Sequence, residues 1–318
     1  MTTIGYALSS EEHPPRNLVG HAAAAERAGF RFALISDHFH PWTSRQGHSP
    51  FVWSVLGGIA HNTSSLEVGT GVTCPLIRTH PAIIAQAAAT SASMFEGRFF
   101  LGVGTGENLN EHIFGDAWPR YATRNEMLRE AVEIMRELWT GELTSYEGAY
   151  YRVENAQLYT LPERPPAVMV AASGPESAQL AAEIGDGMIT TTPDKELVDA
   201  FRQSGGEGKP LYGQLTVCWA PTRDQALDVA MEWWPTAGVP GDLSQELPLP
   251  MHFEQVSKLV TRDQLAQSVL CGPDADEHLQ RIGQFTEAGF DHVYVHQVGP
   301  DQEGFFRFYA DQVLPRLT

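Results

Sequence analysis

Lysine is almost absent from this chain. Of 21 basic residues in 318, only Lys195, Lys209 and Lys258 are lysines. Any site for a phosphate or carboxylate must therefore draw on arginine, on backbone N–H groups or on these three. Acidic residues number 39, for a net charge of -18, which argues against nucleic acid or an anionic membrane as partner. Cysteine is scarce too. Cys74, Cys218 and Cys271 are widely spaced and odd in number, fitting neither a disulfide framework nor a zinc cage and pointing to a reducing cytoplasm. No run of about 18 apolar residues occurs, so no segment is expected to span a membrane. Met-Thr-Thr-Ile-Gly-Tyr enters a strand pattern with no basic or apolar leader, which predicts no signal peptide. A hydrophobic content of 42% and a mean hydropathy of -0.22 describe a soluble globular protein with a large core.

What is present is an alternation. Apolar strand-like runs at 3–8, 31–36, 66–72, 98–103, 167–172, 187–190, 211–218 and 291–296 are separated by helical patterns. These helices include Asn17–Ala28, Pro81–Phe95, Tyr121–Thr140, Glu176–Ile184 and Ala275–Ala288, and Gly29, Gly185 and Gly289 stand where helix C-caps belong. Eight such units predict a single (β/α)8 TIM barrel over 1–318. Two insertions interrupt it. Residues 142–165 read as a β-hairpin turning at Glu147-Gly148. Residues 235–262, rich in Pro, Gly and Glu, read as a candidate lid or substrate wall on the catalytic face.

Ionisable residues collect where strands end, which is where a barrel's βα loops build an active site. Ile35-Ser-Asp-His-Phe-His-Pro-Trp42 places an acid, a histidine and a tryptophan just past the second strand. His38 is read as a general base or hydrogen-bond donor, with Asp37 directed toward a cofactor or toward the imidazole; the plainer alternative is a capping Asp and a surface His. His38-Phe39-His40 also matches the His-x-His pattern of metal-dependent barrel hydrolases, since alternate residues of an extended segment face one side. That pattern usually ends the first strand, not the second, and strands five to seven end in Ala172, Thr190 and Cys218, not in further ligands, although His296 ends the eighth.

Gly102-Val-Gly-Thr-Gly-Glu107 is neither a Walker loop nor a dinucleotide fingerprint. Its glycines offer close backbone approach to a flat ring or phosphate. Glu107 can present a carboxyl group, and Asn110 shares its face if a helix begins there. Gly69-Thr-Gly71-Val72-Thr-Cys-Pro75 ends the third strand, and glycine there permits a strained or cis peptide. Gly174-Pro175 opens a helix whose free N–H groups suit a phosphodiester. Each has a bland reading as turn or cap chemistry.

Taken together, Ser36–Trp42, Pro81–Gln86, Gly97–Asn110, Ala117–Pro119 and Ala181–Gly187 resemble the luciferase-like barrel oxidoreductases that use the deazaflavin coenzyme F420. The resemblance is nearest the glucose-6-phosphate dehydrogenase and secondary-alcohol dehydrogenase branch, and it fades between 190 and 260. It implies hydride transfer between an alcohol or carbonyl carbon and C5 of the deazaflavin. It gives His38 the substrate hydroxyl, Trp42 the pocket wall and Glu107 the proton at the ring's N1 edge. Asp37, Gly71, Val72, Thr105, Asn110, Gly174 and Pro175 would hold the cofactor, with a non-prolyl cis bond at Gly71–Val72. Sugar-phosphate members grip phosphate with two lysines and an arginine, and these positions fall at or beside Lys195, at Gln255 and at Ser268. Lys258, one turn beyond Gln255, is the remaining substitute. Two lost cationic contacts weaken phosphate binding by on the order of 1.5–3 kcal/mol each, which argues against glucose 6-phosphate as substrate.

The resemblance also implies a homodimer, since relatives are commonly dimers. Rival readings are an FMN-dependent monooxygenase of the same fold, a metal-dependent hydrolase built on His38 and His40, and a catalytically silent binding protein. The expected partner is a small molecule.

Overall fold

The computed structural model describes residues 2–239 and 241–317; Met1, Thr318 and Pro240, the last inside the expected 235–262 insertion, lie outside them. Eight parallel strands form a closed barrel: β1 (Thr3–Leu8), β2 (Phe32–Ile35), β3 (Glu67–Thr70), β4 (Phe99–Val103), β5 (Val168–Ala171), β6 (Gly187–Thr190), β7 (Leu211–Cys218) and β8 (His292–Gln297). Each pairs with the next, and β8 returns to β1 with Tyr294 opposite Gly5. This is the TIM barrel that the strand pattern predicts, with boundaries shifted by one or two residues.

The strands read as nearly continuous apolar runs because both of their faces are covered. Ile4, Tyr6, Leu8, Val68, Leu101, Val293 and Val295 point outward into the helix-covered core. Ala7, Phe32, Leu34, Phe100, Met169, Ile189, Tyr212 and Tyr294 fill the interior. Small and large residues alternate there. A Cβ at Gly69 would stand 2.1 Å from the Phe100 ring, so the aromatic occupies space the glycine leaves.

The helices follow their end signals. Pro15 starts the first, Pro15–Ala28, two residues ahead of the expected start, as proline at the first helical position allows. Gly29 and Gly289 close their helices in the left-handed conformation, as expected. Gly185 does not: its φ is -96°, and the chain leaves that helix extended. The 142–165 insertion is a hairpin of Thr144–Glu147 and Arg152–Ala156. The second insertion carries helices Leu243–Glu246 and Pro250–Ser257.

That second insertion is tied down over the carboxyl ends of the strands. Arg45 anchors the helix that leads into it, Arg223–Trp233, stacking over Trp233 at 4.0 Å and bonding Glu232 at 2.6 Å. The Ser44 N–H donates to Glu254 (2.9 Å), Arg124 Nη2 to Gln245 (2.9 Å) and Asn108 Nδ2 to the Glu246 carbonyl (2.9 Å). Trp234 and Phe253 are thereby carried over the mouth of the barrel.

Candidate active site

A cavity of about 410 Å³ opens at the carboxyl ends of the strands, between the barrel and the 235–262 insertion. Asp37, His38, Trp42, Gly71, Val72, Thr105, Glu107 and Asn110 all line it. Among the described residues of its wall none is Lys or Arg.

His38 is the centre of its polar side. Its Nδ1 lies 3.2 Å from Glu11 Oε1, an ion-pair separation without the alignment of a hydrogen bond, and its Nε2 lies 3.4 Å from Glu107 Oε2. Glu11 arrives from just beyond β1 and is fully buried. It accepts from the Ser36 hydroxyl at 2.6 Å and the Ser9 hydroxyl at 3.1 Å. Burial alone would push the Glu11 carboxyl up, but the facing His38 and the Ser36 hydroxyl hold it below its usual range. Glu107 goes the other way. Enclosure by protein raises it, only partly offset by His38, and the Glu11 charge raises it further. Its side chain remains 29% exposed, toward the cavity. Two carboxyl groups flanking one imidazole are thus set apart, one with its pKa lowered and one with its pKa raised.

Asn110 locks this arrangement. Its Nδ2 donates to Glu107 Oε2 at 3.0 Å, and its Oδ1 accepts from the backbone N–H groups of Phe39 (2.9 Å) and His40 (3.1 Å). Trp42 packs edge-on to both His38 and Phe253, with ring centres 5.1 Å apart in each case.

Behind Glu107 runs a buried charge network. Arg78 Nη2 donates to Asp37 Oδ1 at 3.0 Å and its backbone N–H to Glu111 Oε2 at 2.8 Å, while Thr73 donates to Asp37 Oδ2 at 2.9 Å. Asp37 therefore faces the cavity as a neutralised, fixed acceptor. The glycine-rich loop serves the chain's own packing as well as any ligand. A Cβ at Gly102 would stand 1.9 Å from the Thr70 carbonyl oxygen, and one at Gly106, where φ is +75°, 2.5 Å from the Cys74 sulfur. The Gly71–Val72 peptide is cis, as the resemblance implies. Val72, Gly104 and Ala171 form one contiguous apolar wall, since a Cβ at Gly104 would touch both neighbours. A flat ring fits such a wall, with Glu107 and Asp37 as polar groups at its edges.

Other expected residues sit elsewhere. Gly174 and Pro175 open the helix Pro175–Ile184 beside Ser173 and Ser177, which do line the cavity; the Ser177 hydroxyl accepts from the N–H groups of Ser173 and Gly174. Lys195 is exposed and pairs with Asp199 at 2.9 Å, and Lys258 is exposed, so neither reaches the cavity. His38 and His40 do not converge on one point. His40 Nδ1 bonds the Leu109 carbonyl at 2.8 Å and its ring stacks on His112, while His296 Nε2 faces Glu12 at 3.2 Å. No cluster of three or more His, Cys, Asp or Glu among the described residues has metal-site geometry, which removes the ligand set of the hydrolase reading.

Sequence reasoning missed Glu11, Arg78, Trp234 and Phe253. Glu11 carried a usable signal: it follows the first strand as closely as His38 follows the second.

The luciferase-like monooxygenase family model matches residues 1–292. F420-dependent glucose-6-phosphate dehydrogenase of Microbacterium testaceum is 36% identical over 326 residues, covering 99% of this chain and 97% of the relative. That of Mycobacterium tuberculosis is 35% identical over 328 residues, with 99% and 97% covered. The solved F420-dependent secondary alcohol dehydrogenase in complex with an F420-acetone adduct superposes with a TM-score of 0.93 at 28% identity, covering 100% of this chain and 99% of that one. The chain belongs to the luciferase-like family, and within it stands among F420-dependent dehydrogenases.

Proposed function

We propose that this chain is an oxidoreductase that moves a hydride between coenzyme F420 and a small alcohol or carbonyl compound. The observation that carries the reading is the His38–Glu107 pair, 3.4 Å apart and facing one cavity above the Val72–Gly104–Ala171 wall. The bound coenzyme supplies the hydride acceptor or donor at C5 of its ring. Asp37, Gly71, Val72, Thr105 and Asn110 would hold the ring, and Gly174 and Pro175 its phosphodiester tail.

The chain's own residues handle protons and geometry. Glu11 behind Nδ1 favours the tautomer with the proton on that nitrogen, leaving Nε2 free to take a substrate hydroxyl proton. The ionised Glu11 then stabilises the charged imidazole. Glu107, its pKa raised by enclosure, carries the proton needed at the ring edge. Trp42, Trp234 and Phe253 exclude water from the substrate side. The all-neutral or acidic wall supports an unphosphorylated substrate.

The enclosed, free cysteines and the acidic composition support a cytoplasmic enzyme, and the homodimer that the family resemblance implies is part of the proposal. A parallel fluorescence titration with oxidised F420 and with FMN tests the central reading. Saturable, micromolar or tighter binding of F420 alone is expected; preference for FMN would move the protein to the monooxygenases.

A further inference from the structure

We infer that Tyr294 and Gln214 form a second recognition point in the substrate half of the cavity, so that the substrate is an uncharged compound carrying a further hydroxyl or carbonyl group beside the one that reacts. The inference rests on the hydride-transfer reading above and names its substrate class.

Tyr294 on β8 and Gln214 on β7 are register partners on adjacent strands, and both line the cavity. Tyr294 is only 3% exposed, and its hydroxyl, which makes no side-chain hydrogen bond among the described residues, is not sealed in but opens on the cavity. A buried hydroxyl left unpaired costs stability, so one that opens on a cavity is satisfied by what enters it. The ring packs into the barrel interior against Phe32, where a phenylalanine would serve as well, so the hydroxyl is surplus to packing. Burial raises its pKa, keeping it a neutral donor. Gln214 spends its Nε2 on the Thr216 hydroxyl at 3.2 Å, which leaves Oε1 as an acceptor. One donor and one acceptor side by side match a neutral hydroxyl, which needs both.

Charge points the same way. The wall holds Asp37, Glu107 and Glu111 and, among its described residues, no cation, so an anionic group meets no counter-charge there. Trp42, Trp234 and Phe253 supply apolar surface for a carbon skeleton.

The test compares F420 reduction with cyclohexanol and with trans-cyclohexane-1,2-diol, after an F420 titration of each protein. In the wild type kcat/KM should favour the diol by about tenfold or more. Tyr294→Phe and Gln214→Leu should each bring that ratio toward one through KM, leaving cyclohexanol within about twofold and the F420 Kd unchanged. Equal use of the two substrates by the wild type, turnover of neither with F420 bound, or variants that keep the ratio would overturn the inference. So would variants that shift the F420 Kd instead, since that assigns the pair to the cofactor. Failure of the wild type to bind F420 appears in the titration, before any alcohol is added, and removes the underlying reading separately.

Discussion

His38 Nδ1 and Glu11 Oε1 stand 3.2 Å apart, although the two residues are delivered by the ends of different strands, β2 and β1. The pair fixes which imidazole nitrogen faces the cavity. Glu11→Gln keeps the shape but removes the charge that favours a proton on Nδ1. The account expects kcat to fall about ten- to a hundredfold, with the F420 Kd within a few-fold of wild type. Steady-state kinetics beside a binding titration checks this.

Glu107 gives opposite pH signatures to the two reaction directions. Its pKa is raised by enclosure, so it stays protonated at pH values where an ordinary carboxyl is ionised. Alcohol oxidation needs the protonated form and should decline as pH rises through that raised value. Carbonyl reduction needs the ionised form and should decline as pH falls through it. Glu107→Gln should abolish both dependences along with most of the rate. Rate–pH profiles of wild type and variant in both directions are the measurement.

Arg78 is enclosed between Asp37 and Glu111, whose side chains are 4% and 0% exposed. Arg78→Met leaves two buried carboxyl groups without their cation. A loss of about 3–5 kcal/mol in urea denaturation is expected. Replacing Glu111 by Gln in the same chain should recover part of it, because one of the uncompensated charges is then gone.

Glu26 tests the stability side at a distance from chemistry. Its Oε1 accepts from the N–H groups of Ser64, Ser65 and Leu66 and from the Ser65 hydroxyl, at 2.6–2.9 Å. Burial raises it, but these bonds prevail and bring it from 4.5 down to about 2. A depressed carboxyl stabilises the fold above its unfolded value and loses that contribution as pH drops from about 4.5 toward 2. Glu26→Gln should cost on the order of 1 kcal/mol at pH 7, the site being partly exposed. The gap in denaturation midpoint should narrow below pH 4.5 and close only near pH 2.

The barrel was legible because eight apolar runs recur at βα spacing, and because His38, Trp42 and Glu107 lie just past strands. The partners of those residues were not. Arg78 meets Asp37 only once β2 and the loop after β3 stand side by side, and Phe253 reaches the cavity on a helix inside the insertion while Trp234 caps the helix before it. The glycines of Gly102–Gly106 suggest ligand approach by sequence, whereas the structure also shows them clearing the way for Thr70 and Cys74. Lys195 and Lys258 stand at or near the positions where the resemblance places phosphate-gripping lysines, but both are exposed on the surface, which position in the sequence does not report.

The most direct test of the account is single-turnover hydride transfer to bound F420 in the wild type, His38→Ala and Glu107→Gln, using the alcohol that the wild type oxidises fastest. The account predicts a drop of about a hundredfold or more in each variant, with F420 still bound. Near-wild-type transfer in both variants would contradict it.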